Sequence, residues 1–416
     1  MWREFASIPS LPSDKPVSAG GWLVYARPEG QLFVAKGNKT QDFYRYDRPL
    51  QMWSPVEPIP LGSEQKPAGA GCSGISDDAG SIYMAKGNSS LGFWRYDIGR
   101  DSWFQLPDVP AGVPDKNAKG GTDIVYATQR DTGCVFLLKG GTCQFLAYNT
   151  LSRTWRRLPD APLGAGKTYG KGSWILSDGA GAIYAHKAKY QEFYRYNLHG
   201  DSWESRALNP MPTIGRLGKR RKSGDGGSAV WMDRSVFALK GGSTQEFWRY
   251  FPARDSWVEL ETLPCHGSSG RVRKVKSGGS VASDAGYDTS YVYYVLFALK
   301  GNKINEVWQK PWESYPVDGG AQTTATLRYT SPLPRFRVRP SLVSGQVAYI
   351  DYHLEQPGWA VIQVSDAAGR IRLTCRFQAN AIGLFCLNLP ELPPGTYLVT
   401  LKSGGKSRTQ KLVVHH

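Results

Sequence analysis

The feature that most constrains this chain is an internal repeat with a period of about 50 residues. The segments LFVAKGNKTQDFYRYDRPLQMW, IYMAKGNSSLGFWRYDIGRDSW, VFLLKGGTCQFLAYNTLSRTW, IYAHKAKYQEFYRYNLHGDSW and VFALKGGSTQEFWRYFPARDSW align almost without gaps, and LFALKGNKINEVWQKPW is a shortened sixth. Their lysines, Lys36, Lys86, Lys139, Lys187, Lys240 and Lys300, follow one another at steps of 50, 53, 48, 53 and 60. In five copies a tyrosine stands seven residues before a tryptophan: Tyr46/Trp53, Tyr96/Trp103, Tyr148/Trp155, Tyr196/Trp203 and Tyr250/Trp257. Each unit reads as four short strands. The first is apolar and preceded by glycine, the second ends in Lys-Gly, the third carries the aromatic-Arg-Tyr run, and the fourth starts at the tryptophan. Gly-Asn or Gly-Gly after the second strand supplies the left-handed backbone of a tight turn, and Asp-Ser before the tryptophan marks the next one. Four antiparallel strands per repeat describe the blade of a β-propeller, so the expected fold is all-β with six blades.

The repeat resembles the kelch family, whose blades carry a small-residue pair after the second strand and then a tyrosine and a tryptophan at about this interval. Lys-Gly stands here in place of the usual diglycine in most copies. The resemblance covers residues 1 to 317 and implies a kelch-like propeller; it says little about activity, because such propellers serve many functions. The run Trp2-Arg3-Glu4-Phe5-Ala6-Ser7-Ile8-Pro9 looks like a fourth strand placed before the first full blade. It is expected to pair into the last blade and close the ring, removing exposed sheet edges.

Residues 318–335, rich in Gly, Thr and Ala, read as a linker. From 336 to 416 alternating strands follow (VAYIDYHL, WAVIQVSD, RIRLTCRF, GLFCLNL, TYLVTLKS and TQKLVV), the size and pattern of an Ig-like β-sandwich. Asp366-Ala367-Ala368-Gly369-Arg370, Leu389 to Leu392 leading to Pro394-Gly395-Thr396-Tyr397, and the closing Lys411-Leu412-Val413-Val414 make this region similar to the C-terminal sorting domain of the bacterial type IX secretion system. That family's usual Asn-Pro near the domain start is replaced by Arg339-Pro340-Ser341. The resemblance implies contact with a secretion machinery, export across the outer membrane and an extracellular or bacterial cell-surface location. The N-terminus itself lacks the basic start and apolar stretch of a secretory signal. No apolar run is long enough for a transmembrane helix.

The residues argue little for chemistry. The histidines show no metal-ligand spacing apart from the terminal pair, no CxxC occurs among the six cysteines, and no cofactor motif is present. Ser76-Asp77-Asp78-Ala79-Gly80 looks superficially like the Asp-box of sialidase propellers, and Ser177 to Gly181 echoes it, yet a tight hairpin selects the same residues. Cys375 and Cys386 lie nearly equidistant from the QANAIG turn and are candidates for a disulfide across a hairpin; two separately buried thiols are the alternative.

Charge is the better lead. With 51 Lys plus Arg against 35 Asp plus Glu the formal charge is +16, which favours acidic partners. Antiparallel blades place the connections between blades, together with the turns between second and third strands, on one face. That face receives Arg216, Lys219, Arg220, Arg221 and Lys222, then Arg271, Arg273, Lys274 and Lys276, with the six repeat lysines bordering it. Four of those lysines have a carboxylate five or six residues later (Asp42, Glu192, Glu246 and Glu306), so each is either paired across its hairpin or part of a ring of cations that a ligand meets. The opposite face receives Glu29, Asp77, Asp78, Asp131, Asp178, Asp233, Asp284 and Asp288, with Asp47, Asp97, Asp101, Asp201 and Asp255.

The expectation is a non-enzymatic extracellular binding or assembly protein. Its basic face takes an anionic glycan or other acidic polymer, or neighbouring molecules join head to tail into a homopolymer or filament. A glycan-active enzyme with its site in the channel is the alternative. Nucleic acid is disfavoured, because no stacking surface or binding motif accompanies the basic runs.

Overall fold

The computed structural model describes the chain apart from residues 28–29, 48–49, 114, 285–292, 314–334, 340–341, 344–346, 355–357, 380–381, 390–391 and 415–416. Glu29, Asp288 and all of the expected linker but Arg335 lie outside the described residues, as do Pro340 and Ser341. The chain forms two compact units, Met1–Val317 and Asp318–His416.

The first unit is a six-bladed β-propeller. After β1 (Arg3–Glu4), the first blade is β2 (Trp22–Ala26), β3 (Gln31–Ala35), β4 (Phe43–Asp47) and β5 (Met52–Pro55). The second is β6 (Ser73–Ser76), β7 (Ser81–Ala85), β8 (Phe93–Asp97) and β9 (Ser102–Leu106), and the third β10 (Asp123–Gln129), β11 (Thr132–Leu138), β12 (Phe145–Asn149) and β13 (Thr154–Arg157). The fourth is β14 (Trp174–Ser177), β15 (Ala182–Lys187), β16 (Glu192–Asn197) and β17 (Ser202–Trp203); the fifth is β18 (Ser228–Met232), β19 (Ser235–Leu239), β20 (Phe247–Phe251) and β21 (Ser256–Glu259). The sixth combines β22 (Ser280–Ser283), β23 (Tyr293–Leu299) and β24 (Val307–Glu313) with β1, which pairs antiparallel to β24 through Arg3↔Gln309 and Glu4↔Trp308. The innermost strands contact one another in the cycle β2, β6, β10, β14, β18, β22 and back to β2, so the ring is closed.

Both faces of each blade are covered by neighbouring blades. The middle strands are therefore buried on both sides: β7 and β19 are buried at every residue, and after their leading serines, Ser81 and Ser235, they carry Ile-Tyr-Met-Ala and Val-Phe-Ala-Leu. The repeat tyrosine and tryptophan knit the blades together. Tyr96, Tyr196 and Tyr250 donate to Asp101, Asp201 and Asp255 in the turn before the tryptophan, at 2.6, 3.0 and 2.7 Å. Each tryptophan indole donates to a carbonyl of the preceding blade's exit: Trp53 to Ala6 at 2.7 Å, Trp103 to Glu57 at 2.9 Å, Trp155 to Pro107 at 2.8 Å, Trp203 to Pro159 at 3.0 Å and Trp257 to Asn209 at 2.9 Å. Trp2 completes the cycle by donating to Glu261 at 3.2 Å. Trp2, and not Trp312, is thus the repeat tryptophan of the sixth blade.

The second unit has two sheets. One contains β25 (Arg335–Arg339), β27 (Val347–His353) and β30 (Ile382–Asn388); the other runs β26 (Leu342–Val343), β32 (Lys406–Val414), β31 (Gly395–Ser403), β28 (Gly358–Asp366) and β29 (Ile371–Ala379). Alternate residues such as Ala360, Ile362 and Val364 face a common core with Val338, Ile350, Leu387, Val399 and Leu412. This arrangement corrects the expected cysteine hairpin. β29 pairs with β28 and β30 with β27, so Cys375 and Cys386 stand in different sheets, and Cys375 is a free thiol opposite Ile362. The side chain of Cys386 lies outside the described residues.

Candidate functional site: the basic connection face and the channel mouth

The structure divides the expected basic site into two groups with different roles. Lys36, Lys139, Lys187, Lys240 and Lys300 are fully buried and Lys86 nearly so. They are not a cationic ring open to ligand, because they sit at the ends of middle strands whose two faces are both covered. Five of the six donate to a carbonyl of an incoming connection, and Lys240 donates to Glu246. Lys36 Nζ donates to the Ser10 carbonyl at 2.7 Å and to Asp42 at 2.8 Å; Lys139 donates to the carbonyls of Pro110 and Ala111 at 2.7 and 2.6 Å; Lys187 donates to Leu163 O at 2.5 Å and Glu192 at 3.0 Å. Lys240 pairs with Glu246 at 2.6 Å, and Lys300 pairs with Glu306 and reaches Pro264 O at 3.2 Å. Aromatic rings close several of these sites: Tyr44, Trp94, Trp248 and Trp308 lie 5.2, 5.8, 5.4 and 4.7 Å from the ammonium of Lys36, Lys86, Lys240 and Lys300.

Where no carboxylate is supplied the balance changes. Gly92 stands at the acidic position in blade 2, and burial lowers the pKa of Lys86, which donates to Leu61 O. In blade 3 Gln144 replaces the acid, and burial pushes Lys139 down to about 8. The carboxylates also hold the connections: Glu192 accepts from Ala165 N at 2.7 Å, Glu306 from Ser269 N at 3.3 Å, and Asp42 from Ser13 Oγ at 2.6 Å. The repeat lysines are anchors for the loops that form this face.

The second group is exposed. Arg216, Lys219, Arg220, Arg221 and Lys222 project from the connection between β17 and β18, and Arg271, Lys274 and Lys276 from that between β21 and β22, with Arg273 half-buried. The first connection folds back through Ile214↔Arg220, with Gly218 at its tip, and Arg221 N bonds to Thr213 O at 2.7 Å. The second is tied by Arg273 N to Cys265 O at 2.9 Å and by Thr244↔Val275. Arg216 is partly engaged, its backbone N–H and guanidinium reaching Glu259 at 2.5 Å each. Among the described residues, no ion pair forms at Lys219, Arg220, Arg221, Lys222, Arg271, Lys274 or Lys276. Exposed apolar residues stand among these cations: Ile214, Leu217 and Val272 are 57%, 77% and 57% exposed.

The opposite face is less acidic than its composition suggests. Arginines meet its carboxylates: Arg27 pairs with Asp78, Arg249 with Asp233 at 2.8 Å, Arg156 with Asp201 at 3.0 Å, and Arg206 with Asp255 at 3.6 Å. Asp77 and Asp178 cap their own turns, Asp77 accepting from Ala79 N and Ser81 N at 2.8 and 2.9 Å and Asp178 from Ala180 N and Ala182 N at the same distances. The Asp-box-like segments are therefore hairpin caps.

The channel is lined by the six innermost strands and has a volume of about 210 Å³; the turns that lead into those strands from the basic face form one end of it. Six equivalent turns ring its mouth. Gly21, Cys72, Thr122, Ser173, Gly227 and Gly279 donate to Ser18, Gly69, Lys119, Gly170, Gly224 and Lys276, three residues earlier, at 2.8, 2.7, 2.9, 2.9, 2.8 and 2.7 Å. The third residue of every turn is a glycine (Gly20, Gly71, Gly121, Gly172, Gly226, Gly278) with φ between 81 and 99°, the signature of a type II turn. A Cβ at Gly20 would lie 1.9 Å from the Gly69 carbonyl oxygen, and the other five would meet the next turn at 2.1, 2.4, 1.9, 2.0 and 2.2 Å. Only glycine lets the ring close. In the sequence these glycines mark only strand starts; the signal that they form one ring is their recurrence before the first strand of every blade.

Among the described residues the channel lining carries two carboxylates, Asp123 and Asp225. Asp123 bridges blades, accepting from Ser73 Oγ at 2.6 Å and from Ile175 N at 2.9 Å. Burial raises its pKa to about 6, although the Ser73 and Ile175 hydrogen bonds oppose the shift. A carboxyl raised above its unfolded value of about 3.9 stabilises the fold fully below that value, and the contribution is lost as pH rises through about 6. Asp123→Asn is therefore expected to flatten the pH dependence of the melting temperature between roughly pH 4 and 7. Thermal melts of both proteins across that window check this, and parallel profiles would refute it.

No known family matches the chain, and no curated protein matches it. Among solved structures it is similar to YjhT, with 13% identity over 73% of this chain and 99% of that one, at a TM-score of 0.46. It is also similar to a protein of unknown function from Bacteroides thetaiotaomicron, with 9% identity over 74% and 76% of the two chains and a TM-score of 0.49. An auxiliary nutrient binding protein from the same organism shares 11% identity over 75% of this chain and 76% of its own, at a TM-score of 0.48.

Proposed function

We propose that this protein is a non-enzymatic binding module of the cell surface or extracellular space, whose basic connection face holds an anionic polymer such as an acidic polysaccharide. The single observation that carries this reading is the pair of adjacent connections bearing Lys219, Arg220, Arg221, Lys222, Arg271, Lys274 and Lys276, exposed and without ion-pair partners among the described residues. Charges left unpaired on loops that are tied down beneath are pre-organised for a polyanion, since little ordering remains to be done on binding. The resemblance of residues 336–416 to a type IX sorting domain supports an exported protein, with the tail serving secretion or attachment.

The test is binding of the full chain to a sulfated polysaccharide at two ionic strengths. Affinity is expected to fall about tenfold or more between low salt and roughly 0.15 M, where charges about 8 Å apart are already screened. Replacing Lys219, Arg220, Arg221 and Lys222 together by serine is expected to abolish most of this binding without lowering the melting temperature. Salt-insensitive binding, or an unaffected variant, would sink the reading. Ile214, Leu217 and Val272 favour a second reading, an anionic lipid surface, because apolar side chains set among cations suit the membrane interface. Sedimentation with vesicles containing phosphatidylserine separates the two. Head-to-tail assembly draws less support, because arginines already meet the carboxylates of the opposite face.

A further inference from the structure

We infer that the channel mouth is an oxyanion site whose donors are backbone N–H groups of the glycine ring. In four consecutive blades the peptide inside the type II turn is oriented by its own carbonyl. Ala19 O accepts from Asn38 N, Ala70 O from Asn88 N, Asp225 O from Gly242 N and Ser277 O from Asn302 N, each at 2.9 Å. All four donors belong to turns between the second and third strands, outside the innermost strand. A trans peptide points its N–H opposite to its carbonyl. The N–H groups of Gly226, Gly278, Gly20 and Gly71 are thereby turned inward, toward the cavity that these residues line. Among the described residues, no backbone acceptor takes them.

Backbone N–H groups gathered around a concavity bind anions, because each carries a partial positive charge fixed in direction at no cost in side-chain ordering. The ring is tight, since neighbouring turns are in backbone contact. Cations stand at the rim as well. Lys171 lines the mouth, its side-chain carbons lying over Gly120 of the adjacent turn, and Lys276 emerges beside Gly226. Asp225 and Asp123 are the opposing charges of the lining; the Asp225 carboxylate accepts from the Ser277 hydroxyl and that of Asp123 from the Ser73 hydroxyl. The ligand class is a small oxyanion: sulfate, phosphate or carboxylate, either free or as a pendant group of the polymer proposed above. In the second case the inference deepens that reading and rests on it; in the first it stands alone.

Crystals of the full chain soaked in selenate test the location, and calorimetry with inorganic sulfate at constant ionic strength tests the affinity. An anomalous selenium peak on the axis, in hydrogen-bond range of the glycine N–H groups, is expected. Lys171→Glu is expected to weaken sulfate binding about tenfold, and Asp225→Asn to tighten it about threefold, both folding normally because the sites are at the rim. Selenate found only beside loop lysines, or affinities unmoved by both substitutions, would overturn the inference as an adventitious ion only. Competition identifies the source. Sulfate that displaces a sulfated oligosaccharide places the pendant group in the mouth. Sulfate that binds while the polysaccharide does not upholds the axial site and refutes the polymer reading. Salt-dependent polysaccharide binding with no sulfate binding does the reverse.

Discussion

Trp2→Ala is expected to destabilise the propeller by about 3–5 kcal/mol, the range for removing a buried tryptophan. Trp2 is 3% exposed, packs edge-on against Phe247 with ring centroids 5.3 Å apart, and belongs to the apolar cluster that joins the fifth and sixth blades. Its indole also makes the ring-closing hydrogen bond to Glu261. Loss of this anchor releases β1, whose hold on β24 is short: two paired residues, then Phe5 N to Val307 O at 2.7 Å and Ile8 N to Asn305 O at 2.9 Å. Freed, β24 presents an unpaired edge, so aggregation on heating should accompany the lost stability. Trp312→Ala is the control. Trp312 lies in the same blade, packs on Phe237 at 4.7 Å and donates to Asp233 at 3.3 Å, but it is half-buried and takes no part in closure. Urea unfolding of both variants decides: if Trp312→Ala costs as much as Trp2→Ala, ring closure does not depend specially on Trp2.

The second large effect is expected at the buried pair of blade 6. Lys300 and Glu306 are each about 1% exposed, and Glu306 also accepts from Ser269 and from Trp308 Nε1 at 3.3 Å. Glu306→Ala leaves a buried ammonium with the Pro264 carbonyl and a tryptophan face, and a cost of about 3–5 kcal/mol is expected, as for other broken buried pairs. Lys300→Met with Glu306→Gln is expected to recover most of that loss, because it removes both charges while retaining the volume. Burial by itself raises the pKa of Glu306, but hydrogen bonds from Lys300 and Ser269 and the Lys300 charge outweigh it and hold the carboxyl below its ordinary value. The sign follows: this stabilisation is full above the unfolded pKa of glutamate and is lost as pH falls through the lower folded value. The double variant should therefore unfold less steeply on acidification than the parent. Lys139 has the opposite dependence on charge. With its pKa lowered to about 8, its neutral form is the one favoured by folding, a contribution present above the unfolded value and lost as pH falls through about 8.

Much of the fold was legible in particular residues. The lysine period counts the blades, the tyrosine and tryptophan seven residues apart mark the third and fourth strands, and Trp2 in front of the first blade announces a displaced fourth strand. The candidate site was legible only in part. Lys219 to Lys222 and Arg271 to Lys276 fall on connections, and connections lie at the surface, so their exposure follows from where the strands end. The repeat lysines obey a different rule. Alternation along a strand assigns a side chain to one face of a sheet, but in a propeller both faces meet another blade, and Lys300 on either face is buried. The cysteines show the same limit. Equal distances of Cys375 and Cys386 from a turn describe a hairpin and a crossing between two sheets equally well, and β29 and β30 take the crossing.

From sequence alone came the number of repeats, their four-strand order and the face on which each connection emerges, because period and strand parity are properties of a chain read in one dimension. Only the tertiary structure decided which charges survive. It buried the six repeat lysines, set arginines against the carboxylates of the opposite face, and assembled six glycine turns, each from a different blade, into the ring at the channel mouth. Such features depend on which segments remote in sequence become neighbours, and no period along the chain encodes the desolvation or ion pairing that this proximity imposes.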